Sequence, residues 1–255
     1  MFFSREGNKS KYANEIIKYF PPHKCYVEGF VGVGGIFFNK PRAKYNILND
    51  SSQFIYSIYE ILKDEATYDE MVKIIEFTPN YFDYIKKNVD EPVKTILLYQ
   101  YSFLKNARTQ RLGMQCDKNT LLNKIKNLKN DFLKYTKEAM IVNKDIFKFL
   151  KSLSTYEQND DYFIYLDPPY SISKGNLKDN KGWSFEKLEE LIILLNSMNV
   201  KYAISEFNDF QVLELFKKYN LNIKTISKSR CSKSIDKYEI LAMNYDPDEG
   251  QIELF

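Results

Sequence analysis

Cys25-Tyr-Val-Glu-Gly-Phe-Val-Gly-Val-Gly-Gly35 is the stretch from which the rest of this chain is read. An apolar run of strand length, Cys25 to Phe30, breaks into glycines at positions 32, 34 and 35. Glycines that follow a first strand let a ligand approach the backbone closely. Gly32 and Gly34 fit the opening of a dinucleotide fingerprint, but the third glycine position is Phe37. Close helix–strand packing is therefore not demanded there, and a pyrophosphate is disfavoured. A tight strand-to-helix turn without a ligand would be written with the same residues, so this stretch speaks for a fold before it speaks for a function.

Outward from it, alternating strands and helices recur. Upstream, a helix runs from Ser10, as N-cap, through Ile16, Ile17 and Phe20 to the stop at Pro21-Pro22. Downstream, Tyr45 to Asn49 reads as a second strand ending at Asp50, and helical spacing resumes through Phe54, Ile55, Ile58 and Leu62. Residues 67–137 are helical, rich in Lys and Asn, and contain no run that reads as a buried strand. The rhythm then returns with a strand at Ala139 to Val142, a helix at Asp145 to Leu150 and a strand at Tyr162 to Leu166. An amphipathic helix follows at Ser184 to Met198, with Leu188, Leu191, Ile192 and Leu195 on one face. Next come a strand at Lys201 to Ser205 and a helix through Leu215. Two closing strands, Leu221 to Ile226 and Tyr238 to Asn244, are joined by a basic loop. The order implies an α/β protein with a mainly parallel sheet, helices on both faces and an antiparallel edge. Residues 1–66 and 138–255 would form the main domain, and 67–137 a helical insertion.

Composition narrows the function classes. A chain of 255 residues with 44% hydrophobic and 28% charged content suits one large soluble α/β domain with an insertion. A net charge of +3 does not by itself argue for nucleic acid, although the 20 Tyr and 19 Phe among many lysines could stack bases beside phosphates. Cys25, Cys116 and Cys231 lie far apart, so no Cys-based zinc site or disulfide framework is indicated, and free thiols are expected. His23, the single histidine, excludes His-centred metal sites and triads and reads as a surface turn residue. No metal is implied. No apolar run reaches membrane-spanning length and no signal peptide is visible, which suggests a cytoplasmic protein without a membrane partner.

In an open α/β sheet, ligands bind outside the carboxyl ends of the strands. Gly32 to Gly35, Asp50, Asp145 and Asp167-Pro-Pro-Tyr170 all fall at such ends. An acid at Asp50 can hold ribose hydroxyls. Pro168 and Pro169 make the loop after the fourth strand rigid. Such a loop holds the Asp167 carboxylate and a backbone carbonyl as fixed acceptors, which an amino group with two N–H donors requires. Tyr170 offers a face on which an extruded base can stack. The bland alternative is a structural Pro-Pro turn.

The chain resembles the Dam-type class of adenine-specific DNA methyltransferases nearly end to end. The matching residues are Gly7-Asn-Lys9, Glu28 to Phe38, Ile47-Leu-Asn-Asp50, Tyr165 to Tyr170, Ile204-Ser205 and Tyr238 to Tyr245. The resemblance implies a Rossmann-like methyltransferase sheet with a target-recognition insertion. It also implies S-adenosyl-L-methionine as cofactor and double-stranded DNA as partner, and it allows a companion restriction endonuclease. By position, Lys9, Asp50 and Asp167 would contact the cofactor, Phe30, Gly32 and Gly34 would line its pocket, and Asp145 would approach its adenine. Asp167, Pro168, Pro169 and Tyr170 would be catalytic. Two positions depart from the family pattern: Gly29 stands where proline is usual, and Arg5 where tryptophan is usual, with Phe2 or Phe3 as substitute stacking surfaces.

The expected reaction is adenine N6 methylation by base flipping and direct transfer. RNA adenine methylation, cytosine N4 methylation and a catalytically inactive DNA-binding module remain alternatives at this point. For target reading, Lys105, Asn106, Arg108 and Arg111 follow an aromatic stretch, a mixture suited to base edges and phosphates. An ordinary helix with its aromatics in the core would look the same. Lys228, Arg230 and Lys233, in the basic segment Lys224 to Lys237, are phosphate-contact candidates, with a solvated hairpin as the alternative.

Overall fold

The structure, a computed structural model, describes residues 9–77, 96, 118–153, 161–170, 183–229 and 237–248. The apolar runs become β1 (Cys25–Glu28), β2 (Tyr45–Asn49), β3 (Ala139–Val142), β4 (Tyr162–Leu166), β5 (Lys201–Phe207), β6 (Asn222–Ser229) and β7 (Lys237–Met243). They form a seven-stranded sheet in the order β3-β2-β1-β4-β5-β7-β6. Pairing is parallel from β3 through β5, and β7 runs antiparallel to both β5 and β6. This is the Rossmann-like sheet with an antiparallel edge that the sequence implies. The reversed strand is β7, and β6 covers it.

Helices α1 (Ala13–Ile17), α2 (Gln53–Lys63), α3 (Glu65–Phe77) and α4 (Lys118–Thr136) pack on one face of the sheet; α5 (Ile146–Leu153), α6 (Phe185–Ser197) and α7 (Phe210–Lys218) pack on the other. Strands covered on both sides must be apolar on both sides, and β1 is buried at all of its positions. Its side chains alternate, Tyr26 into one core and Val27 into the other. Side-chain oxygens cap several helices at their starts, among them α2, α6 and α7: Ser52 accepts from Ile55 N, Ser184 from Lys187 N and Asp209 from Gln211 N. Each such cap stabilises its helix by about 1 kcal/mol.

Several local readings need correction. Ser10 is not an N-cap: it lies inside a 3-10 turn, Lys9–Lys11, and α1 opens after Tyr12, which makes no side-chain cap. The tight turn goes with Lys9, whose side chain is drawn into the protein. β1 stops at Glu28, two residues short of Phe30, because the chain turns at the glycine loop. β5 runs two residues further than Ser205, and β6 continues to Ser229, so Lys224 to Ser229 belong to a strand rather than a loop. His23 is half-buried: its Nδ1 meets Pro21 O at 2.7 Å and its ring lies against Tyr26 and Phe163. Cys25 is buried and free.

Met71 and Ile75 of α3 and Leu121, Ile125, Leu128 and Phe132 of α4 share the core beneath β1 and β2. The stretch from 78 to 117, Ile96 apart, is outside the described residues, and with it Lys105, Asn106, Arg108 and Arg111. Among the described residues no helix is long and apolar enough to cross a membrane.

Candidate functional site

Strand order reverses between β1 and β4: from β1 the chain builds toward β3 on one side, and from β4 toward β5 on the other. A crevice opens at such a switch point, outside the carboxyl ends of the two strands. Glu28 pairs with Tyr165 at that end, and Gly29 N donates to Tyr165 O at 3.0 Å. A proline at 29 would lose this bond. A Cβ there would lie 2.6 Å from Leu166 Cδ2 and 2.8 Å from Ile146 Cδ1, so glycine suits the neighbours this chain has.

The glycine loop leaves β1 with Gly32 at φ 50° and Gly34 at φ 72°. Gly34 is obligatory on a second count, because a Cβ would fall 2.3 Å from the Phe38 ring; at Gly32 a Cβ would meet nothing within 4 Å. Gly32 N donates to Asp50 Oδ2 at 2.9 Å, and Ser52 N donates to Asp50 Oδ1 at 2.9 Å. Beside the loop, Tyr59 Oη is buried without a hydrogen-bond partner among the described residues.

Asn49 joins three strand ends. Its Nδ2 donates to Gly29 O (3.0 Å) and to Lys144 O (3.1 Å), while its Oδ1 accepts from Lys144 N (3.1 Å). Asn143 Nδ2 donates to Asp50 O at 2.8 Å, so the turn before α5 is fastened to both. Asp145 closes that turn as the cap of α5, its Oδ1 accepting from Phe147 N and Lys148 N. Phe30 lies edge-on to Trp183 at 5.3 Å between ring centroids, and Trp183 stacks on Phe147 at 6.4 Å. Trp183 Nε1 is buried with no hydrogen-bond partner among the described residues.

Across the crevice, Lys9 Nζ lies 2.7 Å from Asp167 Oδ1 and donates to Tyr170 Oη at 2.5 Å. It also pairs with Glu239 Oε1 at 3.3 Å, and Tyr170 O–H donates to Glu239 Oε2 at 3.1 Å. Lys9 is 4% exposed and Asp167 19%, so the cation is sealed while the aspartate stays open to the crevice. Burial opposes the charge on Lys9, but Asp167 and Glu239 outweigh it and hold the ammonium well above the ordinary lysine range. Burial also pushes Asp167 upward against the pull of Lys9, and lifts Glu239 to about 7. Glu28 is driven to about 8 by burial, with the Tyr26 hydroxyl opposing and Asp167 adding to the rise.

The structure therefore brings Lys9, Phe30, Gly32, Gly34, Asp50 and Asp167 to Tyr170 to one end of the sheet, with Asp145 beside them. Lys228 pairs through its backbone with Tyr238 in the β6–β7 ladder, and Arg230 and Lys233 are outside the described residues. Glu239, Asn49 and Trp183 were not singled out by the sequence reading. Glu239 had a signal: a charged residue on the face of β7 that otherwise carries Leu241 and Met243 into the core.

The model of the D12 class N6 adenine-specific DNA methyltransferases matches residues 6–235. The modification methylase StsI of Streptococcus sanguinis is 26% identical over 94% of this chain and 42% of its own length. The type II methyltransferase M.FokI of Planomicrobium okeanokoites is 24% identical over the same 94% and 42%. The chain thus spans less than half the length of these two relatives. The DNA adenine methylase of Haemophilus influenzae is 30% identical over 81% of this chain and 82% of its own.

Proposed function

Because the chain belongs to the D12 class of N6 adenine-specific DNA methyltransferases, we propose that it methylates the exocyclic amino nitrogen of adenine at specific sites in duplex DNA. The observation that carries this reading is the placement of Asp167 at the end of β4. There it is open to the crevice, clamped by a sealed lysine and followed by an aromatic ring. S-adenosylmethionine, when bound, supplies an electrophilic methyl group on a sulfonium sulfur.

The residues fit that group. Asp50, at the end of β2 against the glycine loop, is a carboxylate of the kind that accepts from ribose hydroxyls. Phe30, with Trp183 and Phe147 behind it, offers a flat apolar wall for a purine. The open space before Gly32 and the Tyr59 hydroxyl, unpartnered among the described residues, lie along the loop between them.

Duplex DNA hides the adenine amino group, so the base must leave the stack at a cost of a few kcal/mol. The Tyr170 ring would receive it. Lys9 takes Asp167 Oδ1, leaving Oδ2 and the Pro168 carbonyl to accept the two N–H bonds. Those bonds turn the nitrogen lone pair toward the methyl carbon, and catalysis is positioning with electrostatic stabilisation. No metal enters the reading. Residues 67–137 would carry target recognition, and the cytoplasm is the compartment in which the protein would meet DNA. A companion nuclease fits a modification role.

Asp167→Ala should leave the protein folded and abolish transfer of labelled methyl groups from S-adenosylmethionine to duplex DNA. Near-normal turnover by the folded variant would overturn the assignment.

A further inference from the structure

Alternation along the strands sets Tyr26 and Glu28 of β1, Phe163 and Tyr165 of β4, Ala203 and Ser205 of β5, and Glu239 and Leu241 of β7 toward one face. Asp167 continues the β4 series, and Lys9 reaches the same face from its 3-10 turn. Leu241 and Met243 enter the core there, so packing alone would call for an apolar residue at 239 as well. A carboxylate 3% exposed is costly unless its partners use it. Here they do. One oxygen of Glu239 lies 3.3 Å from the Lys9 ammonium as an ion pair and the other accepts the Tyr170 hydroxyl, while Lys9 also meets Asp167 and Tyr170. The Tyr170 ring also packs on Phe207 at 4.0 Å.

Resting on the methyltransferase reading above, we infer that Glu239 is a positioning residue: it holds Lys9 against Asp167 and tethers Tyr170, fixing acceptor and stacking ring relative to each other. Its negative charge adds to the hold of Asp167 on Lys9. The other groups facing this cluster are Glu28 and Tyr26 from β1, Lys40 beside Glu28, Tyr165 from β4 and Ser205 from β5. Burial lifts Glu239 to about 7, so acidification through neutrality neutralises it and weakens its share of the hold on Lys9, leaving Asp167 and Tyr170.

The test is methyl transfer by the purified chain carrying Glu239→Gln, Tyr170→Phe or both, with cofactor affinity measured by calorimetry. Each single change should lower kcat by about 10- to 100-fold, the cost of an ångström-scale misplacement, and leave cofactor Kd within about 3-fold. The double variant should be little worse than the poorer single one, since both cut one tether. The fall of wild-type kcat below pH 7 should flatten in Glu239→Gln, which a purely structural role would not produce. A Glu239→Gln kcat close to wild type, or losses that multiply in the double variant, would overturn the inference. If Glu239→Gln fails to fold, Tyr170→Phe cuts the tether from its other end, and an unchanged kcat there has the same force. Wild-type protein that transfers no methyl group to duplex adenine would overturn the reading beneath it instead.

Discussion

Asp50 accepts the amide of Gly32 through Oδ2 at 2.9 Å, so the acid at the end of β2 shapes the glycine loop that leaves β1. The same carboxylate takes Ser52 N through Oδ1 and orients the entry to α2. One residue thus serves both as loop brace and as the candidate ribose ligand.

Asp50→Ala should remove both roles. The loss of S-adenosylmethionine affinity should be about 1.5–3 kcal/mol, the scale of a hydrogen bond to a charged group, with added looseness in the glycine loop. Asp50→Asn should lie between, because one amide oxygen cannot replace two carboxylate oxygens in accepting from Gly32 and Ser52. Calorimetry giving equal affinities for wild type and Asp50→Ala would remove this residue from the site.

Asn49→Ala strips the hydrogen bonds from Gly29 O and from both backbone groups of Lys144. Leaving the buried Gly29 carbonyl without this bond costs about 1–3 kcal/mol, while the more exposed Lys144 groups can turn to water, so a total of about 2 kcal/mol is expected. Denaturant midpoints report that loss. A second effect separates this residue from an ordinary core amide: the loops carrying Gly32 and Asp145 lose their common fastening, so cofactor affinity should also fall. Full affinity in the folded variant would limit Asn49 to stability.

What the sequence made legible follows from how local each cause is. β4 was read to the residue, because an apolar run ends at an aspartate that two prolines force out of regular structure. β1 was read two residues too long, since Phe30 continues the apolar pattern while the backbone turns. Ser10 looked like a cap on propensity alone, but burial of Lys9 shapes that turn. The candidate site residues adjoining strand ends are legible for the same local reason. Glu239 and Asn49 stand in stretches that match the family, but sequence gives neither a role because their partners are distant: Lys9 for one, Lys144 for the other. The choice of adenine in DNA over RNA or cytosine came from kinship rather than from any local pattern.

Gly34 and Gly32 should respond differently to alanine. Both have positive φ, which costs a residue with a Cβ roughly 1–2 kcal/mol. Gly32→Ala should cost little more, since its Cβ would enter open space. Gly34→Ala must also displace the Phe38 ring, which lies against Tyr135 and Phe132, so its loss should be clearly larger. Comparing the two thermal midpoints checks the difference, and equal midpoints would mean that Phe38 yields without cost.

Glu28 contributes stability on the acid side of neutrality that is lost as pH rises. It is 2% exposed and takes the Tyr26 hydroxyl at 2.7 Å. Burial raises its carboxyl from 4.5 to about 8, opposed by the Tyr26 hydrogen bond and reinforced by Asp167. Between those two values the folded state keeps a proton that the unfolded chain has released. Stability therefore falls as pH rises through that window, and the loss is complete above it. Glu239, raised to about 7, acts in the same direction over a narrower range. Lys9 does not interfere, because its raised value keeps its contribution constant below the ordinary lysine range. Glu28→Gln abolishes the Glu28 part while its amide oxygen still accepts from Tyr26. The variant should match wild type near pH 5 and exceed it at pH 8 by an amount on the order of a few kcal/mol. Urea unfolding at pH 5, 6, 7 and 8 measures the difference directly. A gap that stayed constant with pH, or a variant less stable than wild type at pH 8, would mean that Glu28 is ionised in the folded protein at a lower pH than its burial dictates.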